Sequence, residues 1–214
     1  MSSSLPETST LRNPSVIAAV LVTAAIAYAF LDRPVILAVA QWPEERLATF
    51  ALFTELGHST KYLVASALAF VLFRWIMPRP HLSGAAALVF GAIVLPGAVV
   101  NLLKIVIGRF RPQQLLELQR WGVDPFTFDY ATSSFPSGHS STIFGLAFAL
   151  GLLFPRWRVL WFTLAALVAL SRVAVLEHYP SDVIVGGYIG VTLSALWATW
   201  LQRRNVDWRP VARP

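Results

Sequence analysis

The sequence has no cysteine and little charge. Asp, Glu, Lys and Arg make up 13% of the 214 residues, whereas a soluble domain carries about 25%. Without cysteine the chain can form neither a disulfide nor a thiolate-bound metal site, and thiols give no indication of its redox compartment. Hydrophobic residues account for 56% of the chain, and its mean hydropathy is +0.62. This composition predicts a membrane protein.

The formal net charge of +6 would suggest a nucleic-acid partner if the cations were clustered on a soluble face. The sequence has no Lys/Arg-rich run, no zinc-finger spacing and no aromatic RNA-binding motif. A bias of cations toward the cytoplasmic side of a membrane explains the charge more simply. We therefore expect the partners to be the lipid bilayer and a membrane lipid, with no nucleic acid and no obligate protein partner.

Six apolar stretches are candidates for helices that cross a bilayer. They cover residues 15–31, 61–77, 83–107, 140–154, 157–176 and 183–201. Residues 32–56 are too polar to span and predict one or two short helices in the membrane interface. The predicted fold class is therefore all-α, a polytopic bundle of six transmembrane helices. We divide the chain into a flexible tail 1–14, a single membrane domain 15–202 and a basic tail 203–214.

Six spans place both termini on one side of the membrane. The tails and turns on that side carry nine cations and two acidic residues, whereas the other side carries eight cations and nine acidic residues. The positive-inside rule makes the first side cytoplasmic. We expect an integral protein of a bacterial inner (plasma) membrane. The run Ala-Tyr-Ala at 27–29 resembles a signal-peptide end, but the apolar stretch exceeds the usual ~7–15 residues.

Three polar clusters interrupt the apolar stretches, all on the predicted outer side. In the first, Lys104 and Arg111 are seven residues apart. On one continuous helix they would share a face, about 10 Å apart along the axis, and Pro112 would end that helix. Such a pair can hold different oxygens of a phosphate, Arg as a bidentate fork and Lys as a point charge. The alternative is a pair of interfacial cations that reach toward lipid head groups.

The second cluster, Pro-Ser-Gly-His at 136–139, opens the fourth span. Ser137 can cap the helix, and Gly138 lets another group approach the backbone closely. The free N–H groups of the first turn form an anion site, toward which His139 is also predicted to point. The alternative is an ordinary helix cap with an interfacial histidine.

The third cluster contains Arg172, His178 and Asp182, at the junction of the last two spans. A carboxylate bonded to one ring nitrogen fixes the tautomer of a histidine and leaves its other nitrogen basic. This arrangement makes a nucleophile or a general base, although the same pair could merely cap the last helix. We expect His58 and His81 to be surface residues on opposite sides of the membrane, because neither completes a zinc triad.

Together these clusters resemble the type 2 phosphatidic acid phosphatase superfamily of integral-membrane lipid phosphatases. The family pattern Lys-x6-Arg-Pro, Pro-Ser-Gly-His and Ser-Arg-x5-His-x3-Asp occurs in order and without substitution, and the resemblance covers residues 57–200. It implies a six-helix membrane bundle and a phosphohydrolase that needs no metal or other cofactor.

The resemblance also implies roles for single residues. His178 would be the nucleophile that forms a phosphohistidine, Asp182 would orient it, and His139 would protonate the leaving oxygen. The residues implied to bind the phosphoryl oxygens are Lys104, Arg111, Ser137, Gly138 and Arg172.

Two other functions are compatible with the composition. A transporter or flippase for anionic lipids would use the same cations, but binding alone needs no nucleophile. A vanadate-binding haloperoxidase, a class that the superfamily also contains, is soluble, and the apolar spans argue against it. We expect a phosphatase for lipid A, a polyprenyl diphosphate, phosphatidylglycerol phosphate or phosphatidic acid. The aromatic loop 113–135 is expected to anchor the protein at the interface or to select the substrate.

Overall fold

A computed structural model describes residues 8–208, and in this part of the chain the only extended pairing is an isolated bridge between Arg109 and Val123. The helices are α1 (Thr8–Leu11), α2 (Pro14–Ile26), α3 (Asp32–Val39), α4 (Glu44–Glu55), α5 (Ser59–Val71), α6 (Pro80–Ile107), α7 (Pro112–Leu118), α8 (Gly138–Leu153), α9 (Arg158–Ala174) and α10 (Pro180–Arg203). Short π-helical turns, Ala27–Leu31 and Leu72–Ile76, follow α2 and α5. The prediction of an all-α fold is confirmed.

The first membrane helix is longer than predicted. α2, the π-helical turn and α3 form one continuous stretch, Pro14–Val39. The first part of the predicted interfacial segment 32–56 therefore belongs to this helix. The prediction was wrong because Asp32 was taken to end the span, whereas its carboxylate is completely buried inside the protein. The rest of the segment forms the separate helix α4, which ends before α5 begins.

Within the described residues, five helical stretches are long and apolar enough to cross a membrane. They are Pro14–Val39, Glu44–Ile76, Pro80–Ile107, Pro155–Ala174 and Pro180–Arg203. The second of these stretches includes α4, the short turn 56–58, α5 and the π-helical turn after it. A further apolar helix, α8, is 16 residues long and mostly buried between its neighbours. The protein is therefore an integral membrane protein built as a helical bundle, while the count of six crossings remains a prediction.

Helices α6 and α10 pack on α8 through positions that only glycine can occupy. A Cβ on Gly145 of α8 would lie 2.3 Å from the Ala92 carbonyl oxygen of α6. A Cβ on Gly190 of α10 would lie 2.3 Å from the Ser141 carbonyl oxygen of α8. These close contacts hold together three of the four helices whose ends carry the polar clusters.

The end of the bundle opposite the polar clusters holds an apolar core and both ends of the described chain. Leu11 and Trp208 pack against the same apolar cluster there. Residues 8–11 were predicted as part of a flexible tail but form α1, and the Leu11 carbonyl accepts a hydrogen bond from the Tyr188 hydroxyl at 2.6 Å. Residues 1–7 of the predicted N-terminal tail and residues 209–214 of the predicted C-terminal tail lie outside the described residues.

Candidate active site

Four helix ends meet at one end of the bundle and bring the three polar clusters together. They are the C-terminal ends of α6 and α9 and the N-terminal ends of α8 and α10. The second and third clusters are in direct contact, because the Ser137 N–H donates to the backbone carbonyl of Asp182 at 3.0 Å. The first cluster joins them through Ser133 and Glu177, whose contacts are described next.

Lys104 and Arg111 do not lie on one continuous helix, which was the condition for their sharing a helix face. α6 ends where Gly108 takes the left-handed conformation with φ of 61°, and Arg111 follows on extended backbone just before α7. A Cβ on Gly108 would lie 1.7 Å from the Asp124 carbonyl oxygen, so this turn requires glycine. The two cations still converge: Lys104 Nζ donates to the Ser133 carbonyl at 2.8 Å, and Arg111 Nη2 reaches the same oxygen at 3.4 Å.

Arg111 and Arg172 converge on Glu177, an acidic residue that the sequence patterns did not identify. Arg111 Nη1 donates to Glu177 Oε2, and Arg172 Nη2 lies 3.6 Å from the same oxygen. The Tyr130 hydroxyl also donates to this oxygen, at 2.7 Å. Burial acts to raise the pKa of Glu177, but the Tyr130 hydrogen bond and the two guanidinium charges outweigh it, so the pKa is lowered. Glu177 is therefore an anion held by two of the predicted phosphate-binding cations.

The segment 113–135, which was predicted as a loop, begins with α7 and contains a short helical turn at Tyr130–Thr132. The loop that follows α7 forms a wall of the site. Its Tyr130 ring stacks on the Arg111 guanidinium, with 3.8 Å between Cζ and the ring centroid. The Tyr130 backbone carbonyl accepts a hydrogen bond from Arg111 Nε at 2.9 Å. Phe126 and Phe128 are exposed, which suits the predicted position in the membrane interface. The loop therefore holds Arg111 in place from one side.

Ser137 caps α8 as predicted, and His139 lies in the first turn of that helix. Ser137 Oγ accepts a hydrogen bond from the Ser140 N–H at 3.4 Å. A Cβ on Gly138 would meet nothing closer than 3.9 Å, so the backbone at this helix start is open to an approaching group. His139 Nε2 is buried and has no hydrogen-bond partner within the described residues. This nitrogen can therefore exchange a proton with a bound molecule.

His58 lies beside His139, a proximity that the sequence patterns did not reveal. The two rings meet edge-on with centroids 4.8 Å apart. The turn that carries His58 packs closely, because a Cβ on Gly57 would lie 2.6 Å from His139 Cδ2. His58 is exposed, as predicted, but the surface it occupies is the rim of the site. His81 lies in the first turn of α6, at the opposite end of that helix from Lys104.

His178 and Asp182 are neighbours, as their spacing suggested. His178 Nδ1 lies 3.6 Å from Asp182 Oδ2, which is longer than a hydrogen bond, and both side chains are almost completely buried. Burial lowers the pKa of His178 to about 4, against the opposing effect of the Asp182 carboxylate. The imidazole is therefore neutral at neutral pH. Because Nδ1 faces the carboxylate, Nε2 is the nitrogen that keeps a basic lone pair.

Arg109 binds the Asp182 oxygen that does not face His178, and Asp32 in turn binds Arg109. Neither residue was predicted at the site. Arg109 donates to Asp182 Oδ1 at 2.5 Å and to Asp32 Oδ2 at 2.7 Å, and all three side chains are buried. Asp32 also accepts hydrogen bonds from the N–H and the hydroxyl of Ser181. The Ser134 hydroxyl donates to Asp182 Oδ2 at 2.6 Å. Charges in membrane segments need partners, so the sequence indicates that Asp32 has a partner, but it does not show that the partner is Arg109.

The chemistry of the site suits a tetrahedral anion. Within residues 8–208, no three His, Asp or Glu side chains are grouped so that they could hold a metal ion. Positive charge comes from three side chains, and the start of α8 adds backbone N–H groups. The cations are Lys104, Arg111 and Arg172. Two histidines border the same space, so the site can bind an anion and also offers a nucleophile and a separate proton carrier.

Fold and site define a helical membrane protein with a cluster of three cations and two histidines beside it. The family profile described as "PAP2 superfamily" matches residues 84–206, which is more than half of the chain. The chain belongs to the PAP2 superfamily, and the family resemblance of its three motifs is confirmed.

Known proteins of this family are similar to the chain in sequence and in structure. The lipid A 1-phosphatase of Rhizobium johnstonii is 42% identical over 118 residues, which is 55% of this chain and 48% of that protein. The chain thus spans about half the length of the curated relatives it matches. A crystal structure of Aquifex aeolicus LpxE aligns with a TM-score of 0.59 and 24% identity over 79% of this chain and 95% of that one.

A second solved structure supports the same fold. It is the first transmembrane PAP2-type phosphatidylglycerolphosphate phosphatase from Bacillus subtilis, with a TM-score of 0.56 and 21% identity. The alignment covers 92% of this chain and 90% of that one.

Proposed function

We propose that this protein is a membrane phosphohydrolase that removes a phosphate from a lipid phosphate or diphosphate, without a metal ion or other cofactor. The observation that carries the proposal is the neutral His178, with Asp182 behind it, at a site lined by cations. A site that only bound anionic lipid would not need this nucleophile. The similarity to a lipid A 1-phosphatase supports the same reaction class.

Substrate binding places the phosphate between the cations and the start of α8. Arg111 can present Nη1, while its Nε and Nη2 contact Tyr130 and Ser133. Arg172 can present its own guanidinium donors, and Lys104 acts as a point charge. The Gly138 N–H and the Ser137 hydroxyl complete the set of donors. Charge on the transferring phosphoryl group is thus stabilised by fixed donors, which is the main requirement of phosphoryl transfer.

In the first chemical step, His178 Nε2 attacks phosphorus while the bond to the lipid oxygen breaks. Asp182 holds the proton on Nδ1 and stabilises the positive charge that develops on the ring. His139, in its protonated form, gives its proton to the leaving lipid oxygen. The products of this step are a lipid alcohol, or a lipid monophosphate from a diphosphate, and a phosphohistidine at position 178.

In the second step, water attacks the phosphohistidine and His139 accepts the proton from that water. The phosphorus–nitrogen bond breaks, its electron pair returns to His178 Nε2, and inorganic phosphate is released. His139 is then protonated again and ready for the next turnover, so a single histidine can serve as acid in one step and base in the other.

The substrate class is a lipid whose phosphate lies at the membrane surface. Among lipid A, polyprenyl diphosphates, phosphatidylglycerol phosphate and phosphatidic acid, we favour lipid A because a lipid A 1-phosphatase is 42% identical over the matched region. We place the site on the periplasmic or outer face of a bacterial inner membrane. The positive-inside rule supports this orientation, because the arginine-rich turns lie at the other end of the helices.

A phosphate-release assay on purified protein in detergent tests this proposal. The substrates are the four lipid classes named above, each with and without a chelator, and His178→Ala serves as the inactive control. We expect release from at least one lipid, unchanged by chelator. Activity that chelator abolishes and Mg²⁺ restores would contradict the metal-independent mechanism. Binding of all four lipids without any release would favour a transporter.

A further inference from the structure

Glu177 places a carboxylate where two of the phosphate-binding cations converge. One oxygen, Oε2, accepts from Arg111 Nη1 and from the Tyr130 hydroxyl, and it lies 3.6 Å from Arg172 Nη2. The Glu177 carbonyl also accepts from Arg111 Nη1, at 3.2 Å. The side chain is 22% exposed, whereas those of the two arginines are 6% and 8% exposed. The carboxylate therefore lies at the accessible side of the buried guanidinium groups.

A phosphate oxygen and the Glu177 carboxylate would bind the same guanidinium N–H groups, those of Arg111 and Arg172. Arg111 Nη1 already donates to Glu177, and its Nε and Nη2 are directed at Tyr130 and Ser133. An anion that takes up Nη1 must therefore replace the carboxylate oxygen there. If both stayed, two anions would share one cationic site within a few ångströms, which is unfavourable in a partly buried environment.

We propose that Glu177 is an internal competitor for the phosphate subsite, which leaves Arg111 and Arg172 when phosphate binds and returns to them when phosphate departs. This inference rests on the proposed function, because it takes the two arginines to bind the phosphoryl group. Glu177 follows Arg172 by five residues and immediately precedes His178. It is thus carried by the same short connection as the nucleophile, between α9 and α10.

The competition has a direct consequence for turnover. Three cations and a helix N-terminus that bind the transition state well also bind inorganic phosphate, the product. A carboxylate that reoccupies the arginines lowers the affinity for the released phosphate and so speeds its departure. Lys104 is not engaged by this carboxylate, since Nζ donates to the Ser133 carbonyl. Part of the cationic site therefore remains available for the first encounter with a substrate.

The test compares Glu177→Gln with the wild type in detergent, using inorganic phosphate and orthovanadate as inhibitors of lipid phosphate hydrolysis. Glutamine keeps the size of the side chain and its hydrogen bond with Tyr130 but removes the charge. Glu117→Gln on α7 is the matched control, because Glu117 is exposed on the neighbouring helix. We expect the inhibition constant of both anions to fall about tenfold or more in Glu177→Gln, and to stay unchanged in Glu117→Gln.

If Glu177→Gln is inactive, its affinity for phosphate can still be measured directly by calorimetry and compared with that of the wild type. An affinity equal to or weaker than that of the wild type would overturn the inference, and a weaker one would mean that Glu177 holds the arginines in place for phosphate. If the wild type hydrolyses lipid phosphates and is inhibited by phosphate, and Glu177→Gln binds phosphate no more tightly, the competition is rejected. The proposed function then stands. A wild type that neither hydrolyses any lipid phosphate nor binds phosphate rejects the proposed function together with the competition.

Discussion

At the scale of single residues, the two histidines of the site differ in what surrounds them. His178 has a carboxylate 3.6 Å from Nδ1 and is almost completely buried. His139 has no carboxylate partner, and its Nε2 is without a hydrogen-bond partner in the described part of the chain. The first environment suits a nucleophile with a fixed tautomer, and the second suits a group that changes its protonation state during the reaction.

This difference predicts a separation of roles by leaving group. His139→Ala should slow the phosphoenzyme-forming step about 100-fold or more for a lipid phosphate, whose alkoxide needs a proton. The same variant should form the phosphoenzyme almost normally from nitrophenyl phosphate, because nitrophenolate leaves without help. The measurement is the burst of nitrophenol, or of lipid alcohol, in rapid-quench experiments.

His178→Ala is the reference for this experiment, since it should show no burst with either substrate. An equal loss of burst for both leaving groups in His139→Ala would place His139 among the phosphate-binding residues. A normal burst followed by slow turnover, with acid-labile phosphate retained on the protein, would agree with its second role as the base for water.

The arginines should not tolerate lysine. Arg111 uses Nε, Nη1 and Nη2 in contacts with three different residues, and lysine has a single nitrogen that cannot reproduce this fork. We expect Arg111→Lys and Arg172→Lys each to lower kcat/KM about 100-fold. Arg120→Lys, an exposed position in the following loop, is the control. Near-normal rates in the two variants would show that charge alone suffices.

The meeting of the three motifs could be predicted, because each motif lies at the end of an apolar stretch and such ends meet at one end of the bundle. Glu177, Arg109 and Asp32 could not be assigned in the same way. Their importance comes from contacts between residues 66 to 77 positions apart in the chain. The apolar pattern of a single helix carries no information about such partners.

At the scale of helices, the long spans and their order were predictable from hydropathy, but helix ends were not. Gly108 interrupts what looked like one helix through Lys104 and Arg111, because its backbone passes too close to Asp124 for any Cβ. At Asp32, by contrast, the helix continues through a charged residue, because the buried carboxylate accepts hydrogen bonds from Arg109 and Ser181. Both outcomes depend on the tertiary neighbours of a single residue.

The first membrane helix should therefore matter for the site although it lies outside the matched family region 84–206. Asp32→Asn removes one of the two carboxylates on Arg109, and breaking a buried ion pair costs about 3–5 kcal/mol. We expect a clearly lower Tm in detergent and a loss of activity that exceeds the loss of folded protein, because Arg109 also holds Asp182. Glu45→Gln, exposed on α4, should change neither quantity. An unchanged Tm and kcat in Asp32→Asn would mean that the network is dispensable.

At the scale of the whole molecule, the polar site and the paired chain ends lie at opposite ends of the bundle. The native chain has no cysteine, so single cysteines can report on the orientation without background. We expect Glu117→Cys on α7 to react with a membrane-impermeant maleimide in intact cells, and Arg79→Cys before α6 to react only after lysis. The reverse pattern would invert the proposed orientation and place the substrate pool in the cytoplasm.

The bridge between Asp32 and Arg109 also bears on how the protein is made. The two residues are 77 positions apart, so the first helix enters the membrane well before its partner has been synthesised. A carboxylate costs roughly 2.5–3.5 kcal/mol at the centre of a membrane helix, and Asp32, toward the end of Pro14–Val39, costs up to that amount. Until Arg109 emerges, the first helix will therefore tend to keep Asp32 near the lipid head groups. We therefore expect membrane insertion of the first helix to become complete only when the third long helix, α6, has brought Arg109 to it, which would couple early insertion to late assembly of the site.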